Sequence, residues 1–133
     1  MSSKVVVDTC ILSYIYKKDT RAKAYLRLLS GLEPLLSFMT VAELYRWPLE
    51  SNWGEARTTS LKLFVSSYAM LPFNKDVCWI WAQIKEIKGR PMKDPDAWIA
   101  ATAIAYQHPL VTHNVRDFEH INALKLIHED GAI

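Results

Sequence analysis

Four acidic residues lie where the sequence predicts that they point toward the same end of a sheet. Asp8 directly follows a run of three valines, and Glu43 lies in a helical stretch after a second apolar run. Asp96 opens a long apolar helix pattern, and Asp117 follows the apolar run 110–112. If these runs are parallel strands, polar residues beyond their carboxyl ends meet at one edge of the sheet. Carboxylate ligands without His or Cys favour Mg²⁺ or Mn²⁺, and such a site suits phosphodiester hydrolysis.

Each acid also has a purely structural interpretation, because caps and first-turn acids are common where helices begin. These interpretations are a strand end or helix cap at Asp8, a capping box Thr40-x-x-Glu43, a helix cap at Asp94 before Pro95 that leaves Asp96 in the first turn, and a helix cap at Asp117. Four carboxylates in one pocket would raise one another's pKa unless a cation lay among them. The joint pattern therefore favours a cation site, although spacing alone leaves both interpretations open.

Basic residues precede two of these acids, and they fit either a solvated face or a set of phosphate contacts. They are Lys85, Lys88, Arg90 and Lys93 before Asp94, and Arg116 before Asp117. The four histidines are His108, His113, His120 and His128. They form no helical i, i+4 pair, so surface or loop positions are favoured over a zinc site.

Short apolar runs alternate with helical stretches along the whole chain. The predicted strands are 4–7, 35–38, 110–112 and 125–127, with a possible fifth at 70–73. The predicted helices are 11–16, 20–30, one that opens at Thr40 and bends or stops near Pro48, 55–68, 75–88 and 94–106. This alternation predicts a parallel sheet covered on both faces by helices.

Composition narrows the functional class. The chain has 133 residues, 50% apolar and 23% charged, with a net charge of +2. This suits one globular domain and excludes a disordered tail. Its two cysteines have no metal-like spacing, which is typical of a protein in the reducing cytoplasm. No apolar run approaches the ~20 residues of a membrane span, and the first ten residues do not form a signal peptide.

Several segments together resemble the PIN-domain family, and in particular the VapC-type toxin nucleases of bacterial and archaeal toxin–antitoxin pairs. The segments are VVVDTCILSYI, TVAELYR, DAWIAATAIA and LVTHNVRDF, in the family's order and at roughly its spacing. The resemblance covers nearly the whole chain, so we expect residues 1–133 to form a single PIN-like domain. It implies an α/β fold, a three-layer α/β/α sandwich with a central, mainly parallel sheet.

The resemblance also implies which residues do the chemistry. The family's four acids fall on Asp8, Glu43, Asp96 and Asp117, as catalytic residues and metal ligands, while Asp94 is off the motif. Thr9, Thr112 and Asn114 match the polar positions that line the family's site. Cys10 is a departure, since relatives more often carry Asn or Ser there. The implied cofactor is Mg²⁺ or Mn²⁺, and the implied partners are an RNA substrate, a cognate VapB-like antitoxin and a second copy of the chain.

The sequence hypothesis is a cytoplasmic, metal-dependent endoribonuclease that leaves a 5′-phosphate and a 3′-hydroxyl. The basic residues named above are weaker candidates for substrate binding. One alternative is a phosphotransferase with Asp8 as nucleophile, but that chemistry needs a second acid at position 10, which is Cys10. The other alternative is a catalytically silent PIN-fold module that binds RNA or protein. Loss of one of the four acids would have favoured it.

Overall fold

The computed structural model describes residues 3–132. The strands are β1 (Lys4–Val7), β2 (Glu33–Leu36), β3 (Ala69–Met70), β4 (Leu110–Val111), β5 (Leu126–His128) and β6 (Gly131–Ala132). The helices are α1 (Thr9–Lys17), α2 (Ala22–Leu29), α3 (Phe38–Glu50), α4 (Glu55–Ser66), α5 (Lys75–Lys85) and α6 (Asp94–Ala105). A short 3-10 turn, Val115–Asp117, follows β4.

One sheet runs through the middle of the molecule, in the strand order β3-β2-β1-β4-β5-β6. The first five strands are parallel, and Val6 at the centre pairs with Leu35 on one side and Leu110 on the other. Only β6 is antiparallel, and it forms a hairpin with β5. The carboxyl ends of β2, β1 and β4 are therefore neighbours at one edge of the sheet.

Helices cover both faces of this sheet. Alternate residues of β1 point to opposite faces: Val6 packs with α5 and α6, whereas Val5 and Val7 pack with α1, α2, α3 and α4. All three valines are buried, as expected for a strand covered on both sides. The expected three-layer α/β/α sandwich with a mainly parallel sheet is confirmed. None of the helices within residues 3–132 has the length and apolar character needed to cross a bilayer.

Helix α3 begins two residues earlier than the sequence pattern indicated. The pattern gave a strand to residue 38 and a helix from Thr40, but β2 ends at Leu36 and Ser37 caps α3 by accepting the Met39 N–H at 3.1 Å. The proposed capping box Thr40-x-x-Glu43 is therefore wrong, since Thr40 lies inside the helix. The helix also continues through Pro48, because a proline in the last turn removes only one backbone hydrogen bond.

The start of α6 also differs from the expected cap. Lys93 occupies the N-cap position, and Asp94 is the first helical residue. The Asp94 carboxylate pairs with Lys85 Nζ at 2.8 Å instead of capping the backbone. Asp96 lies in the first turn, as expected, and the rest of α6 is buried in alanine-rich packing on the sheet.

Candidate active site

Asp8 occupies the junction between β1 and α1 and is only 4% exposed. Its Oδ1 accepts the Thr9 backbone N–H at 2.8 Å, so the acid does cap α1. Its Oδ2 accepts the Thr112 hydroxyl at 2.7 Å and lies 3.4 Å from the Cys10 thiol. Thr112 in turn accepts the Asn114 N–H at 3.0 Å. The end of β4 therefore fixes the carboxylate that ends β1.

Glu43 reaches the same edge from α3 rather than capping that helix. The Thr9 hydroxyl donates to Glu43 Oε1 at 2.8 Å and lies 2.9 Å from Thr40 Oγ1. Thr40 is fully buried in α3, one turn before Glu43. Thr9 thus connects Asp8 to Glu43, the first two of the four candidate acids.

A buried hydroxyl pair holds α3 against α6. Ser37 Oγ lies 3.2 Å from Thr102 Oγ1, and both residues are essentially unexposed. Ser37 also provides the α3 cap, so the same residue fixes the helix that carries Glu43 and ties it to the helix that carries Asp96. The sequence pattern did not single out either residue: Ser37 lies outside the quoted motifs, and Thr102 lies within DAWIAATAIA but has no charged side chain to mark it.

Asp96 and Asp117 line a common cleft of about 150 Å³. Asp96 is half-buried, whereas Asp117 is exposed at the end of the 3-10 turn. The cleft is also lined by Arg90, Lys93 and His120, among others. Both His120 ring nitrogens are buried and lack a hydrogen-bond partner within residues 3–132. Such unpaired polar atoms favour a cleft that takes a polar ligand or water.

Electrostatics show that the four acids share one environment. Burial and the charges of Asp8, Asp117 and Glu43 raise the pKa of Asp96 to about 6, with Lys93 acting in the opposite direction. Burial and the Asp8 charge raise the pKa of Glu43. Burial also raises the pKa of Asp8, against the opposing hydrogen bonds from Thr112, Cys10 and Thr9. The four carboxylates therefore repel one another in the absence of a cation.

This donor set fits a hard divalent cation. It consists of carboxylate oxygens, and two of the Asp8 lone pairs are fixed by Thr9 and Thr112, which pre-orients the rest of that carboxylate. A cation would relieve the repulsion that raises the pKa of Asp96. A divalent cation held by these carboxylates would place positive charge beside a bound phosphate.

The basic candidates divide into two groups. Arg90 and Lys93 line the acid cleft, and Arg116 lies beside Asp117, so these three are placed where a polyanion would contact them. Lys85 instead donates to the Met92 carbonyl at 2.8 Å and pairs with Asp94 at the start of α6. Lys88 is exposed in the segment between α5 and α6.

The sequence suggested surface or loop positions for all four histidines, and this is wrong for at least one of them. His128 lies in β5 and is half-buried, and its ring is 5.1 Å from that of His113. Tyr25, fully buried in α2, places its hydroxyl 2.6 Å from His113 Nδ1. No spacing along the chain reveals this cluster, because the pairing of β4 with β5 brings its members together.

Comparison with known proteins gives a consistent result. A sequence model of the PIN domain matches residues 5–124. The chain is 30% identical over 125 residues to a protein named Ribonuclease VapC1 from Haemophilus influenzae, covering 90% of this chain and 93% of that protein. It is 31% identical over 128 residues to another Ribonuclease VapC1, from Methanocaldococcus jannaschii, covering 93% and 85%.

Solved structures show the same fold. VapBC-1 from nontypeable Haemophilus influenzae superposes with a TM-score of 0.82 at 27% identity, covering 96% of this chain and 98% of that one. DNA-bound VapBC from Salmonella typhimurium gives 0.78 at 25% identity, covering 97% and 99%. With the family model covering most of its length, this chain belongs to the PIN-domain family.

Proposed function

We propose that this protein is a divalent-metal-dependent endoribonuclease and the toxin of a VapBC-type toxin–antitoxin pair. The observation that carries the proposal is the convergence of the four acids at the carboxyl edge of the sheet, where burial, together with the charges of the other three acids, raises the pKa of Asp96 to about 6. Relatives named Ribonuclease VapC1, aligned over 90% or more of this chain, support the same function.

In this proposal Asp8 and Asp96 are the principal ligands of Mg²⁺ or Mn²⁺. Glu43 binds the ion or orients the attacking water, and Asp117 helps to hold the ion from the open side of the cleft. A divalent ion held there supplies Lewis-acid chemistry, which acidifies water and neutralises charge that develops on the phosphate. Water attacks the phosphorus and gives up a proton, the P–O3′ bond breaks, and the leaving 3′ oxygen takes up a proton from solvent, so the products carry a 5′-phosphate and a 3′-hydroxyl.

The polar neighbours of the acids position them for this reaction. Thr112 holds the Asp8 carboxylate, and Thr9 holds Glu43, so both acids are pre-organised before substrate binds. Asn114 is tied to Thr112 through its backbone N–H, and it lines the neighbouring cleft that Arg116 and Asp117 also line. None of these three needs to move a proton in the reaction.

Positive charge around the cleft suits the RNA backbone. Arg90, Lys93 and Arg116 are the proposed phosphate contacts, and Lys88 is a more distant one. Lys85 is the weakest candidate because Asp94 already pairs with it. An RNA with an unpaired loop is the expected substrate class, since a protein reads unstacked strands more readily than a closed duplex.

We propose a cognate VapB-like antitoxin and a second copy of the chain as protein partners, acting in the cytoplasm. The structures named VapBC superpose on nearly the whole chain, which supports a similar assembly. Trp79, 66% exposed on α5, is a large apolar side chain that a protein partner would cover.

The test is to incubate partner-free protein with total cellular RNA in EDTA, Mg²⁺ or Mn²⁺ and to map the ends of the fragments. We expect discrete cuts with 5′-phosphates in the metal arms, absent in EDTA and in Asp96→Asn. Cuts that persist in EDTA or in the variant would contradict the proposal. Absence of cleavage by folded, partner-free protein in every arm would favour the silent binding module instead.

A further inference from the structure

We propose that His113, His128 and Glu129 form a second metal site, separate from the four acids, that binds Zn²⁺ or a similar transition-metal ion. His113 follows the end of β4, His128 ends β5, and Glu129 is the first residue of the turn between β5 and β6. The site therefore joins the last hairpin of the sheet to the strand that leads to Asp117.

The spacing of the two imidazoles suits a shared ion. Their ring centroids are 5.1 Å apart. Two imidazoles on one zinc, with bonds of 2.0–2.1 Å and a near-tetrahedral angle, have centroids roughly 5 Å apart. Ligand atoms of both histidines and of Glu129 lie within 4.8 Å of one another. Tetrahedral zinc holds its ligand atoms roughly 3.4 Å apart, so side-chain adjustments of about 1 Å close the site.

An outer partner orients the His113 ring for this role. The hydroxyl of fully buried Tyr25 lies 2.6 Å from His113 Nδ1, which leaves Nε2 as the ligand atom. Asp130 Oδ2 lies 4.0 Å from His128 Nδ1, which is within ion-pair distance but too long for a hydrogen bond. Histidine ligands of metals ordinarily donate their second ring N–H to a carboxylate, a backbone carbonyl or water, and the Tyr25 hydroxyl oxygen offers His113 a comparable acceptor. Tyr25 also packs edge-on against both rings, at 5.7 and 6.3 Å.

The donor set and the surroundings distinguish this site from the acidic one. Two imidazole nitrogens and one carboxylate favour zinc or another borderline transition metal over Mg²⁺, which prefers oxygen ligands. His113 and His128 line an open cleft of about 520 Å³, which gives an ion a route from solvent. Arg116 and Asp117 line the same cleft, so a fourth coordination position would face the region where substrate is proposed to bind.

The test uses Zn²⁺ itself with tag-free, metal-free protein, because a polyhistidine tag would bind zinc. Isothermal titration in the Asp96→Asn background, where the acidic site is weakened, is expected to give one zinc per chain. Cobalt substitution is expected to give visible absorption bands of a four-coordinate site. Neither readout depends on ribonuclease activity, so failure of this inference and failure of the proposed function are distinguishable.

Matched variants assign the ligands. We expect His128→Gln and the double variant His113→Gln/His128→Gln to lose stoichiometric zinc binding while retaining wild-type far-UV circular dichroism. Tyr25→Phe keeps both ligands and removes only the hydroxyl, and we expect roughly tenfold weaker binding. Zinc binding that is unchanged in the folded double variant, or wild-type protein that binds no zinc in the micromolar range, would overturn the inference.

Discussion

Replacing Asp96 with Asn is expected to abolish catalysis and yet stabilise the metal-free protein. The folded-state pKa of Asp96 is about 6, against 3.8 for an unperturbed aspartate. That difference corresponds to about 3 kcal/mol at neutral pH, as an upper bound. Partial exposure of the side chain reduces it, and loss of an acid from the first turn of α6 costs about 0.3–1 kcal/mol. The expected net gain for Asp96→Asn in EDTA is about 1–2 kcal/mol, or a Tm rise of about 3–8 °C.

The pH dependence of this difference has a definite sign. Because the folded pKa is raised, the ionised carboxylate destabilises the fold above about pH 6. As pH falls from 6 towards 4, the folded state takes up a proton before the unfolded state does, and the penalty disappears. The wild type and Asp96→Asn are therefore expected to differ most at pH 7–8 and to converge near pH 4. Urea denaturation at several pH values, followed by circular dichroism, measures both curves.

Asp94→Asn is the matched control for this experiment. It makes the same chemical change two residues away, in a carboxylate that is 63% exposed and paired with Lys85. Such surface pairs contribute about 0–1 kcal/mol, so this variant is expected to be unchanged or slightly less stable. An Asp96→Asn protein that is less stable than wild type in EDTA at pH 7.5, or a difference that does not change with pH, would refute the electrostatic reasoning.

Three further outcomes follow from the contacts around the acids. Thr112→Val leaves the buried Asp8 carboxylate without a hydroxyl donor, so we expect a loss of about 1–3 kcal/mol in urea denaturation, whereas Thr112→Ser is expected to retain most of the stability. Ser37→Ala removes the cap of the helix that carries Glu43; a loss of about 1 kcal/mol is expected, and no measurable loss would argue against the capping role. Burial raises the pKa of the Cys10 thiol to about 12, so we expect Cys10 to resist alkylation by iodoacetamide at pH 8 until urea is added. Mass spectrometry measures the extent of labelling, and rapid labelling of the native protein would contradict the burial of this thiol.

Helices and strands with an uninterrupted apolar pattern were predictable from the sequence. The run of valines predicted β1, and the apolar, alanine-rich pattern predicted α6, because both are buried on nearly every side. The start of α3 was not predictable, since Phe38 and Met39 extend an apolar run that resembles a strand. Only the Ser37 side chain, which accepts the Met39 N–H, shows where the strand ends and the helix begins.

The candidate site, too, was only partly predictable from the sequence. Asp8 and Asp117 follow β1 and β4, so their places at one edge of the sheet were predictable from the alternating pattern, and Asp96 was predictable as a first-turn residue of α6. The hydrogen bonds that hold the acid-bearing elements in place were not predictable from the pattern. Thr9–Glu43 and Ser37–Thr102 join residues that are 34 and 65 positions apart. Contacts of this kind depend on strand order and helix packing, which a single sequence does not display.

RNA cleavage by Asp96→Asn and Asp94→Asn, compared with wild type at saturating Mn²⁺, tests the central claim most directly. The two variants lose the same charge in the same helix turn, but only Asp96 lies among the four acids. We expect cleavage with 5′-phosphate ends at a wild-type rate in Asp94→Asn and none above background in Asp96→Asn. Equal rates in the two variants would contradict a reaction that depends on the four carboxylates.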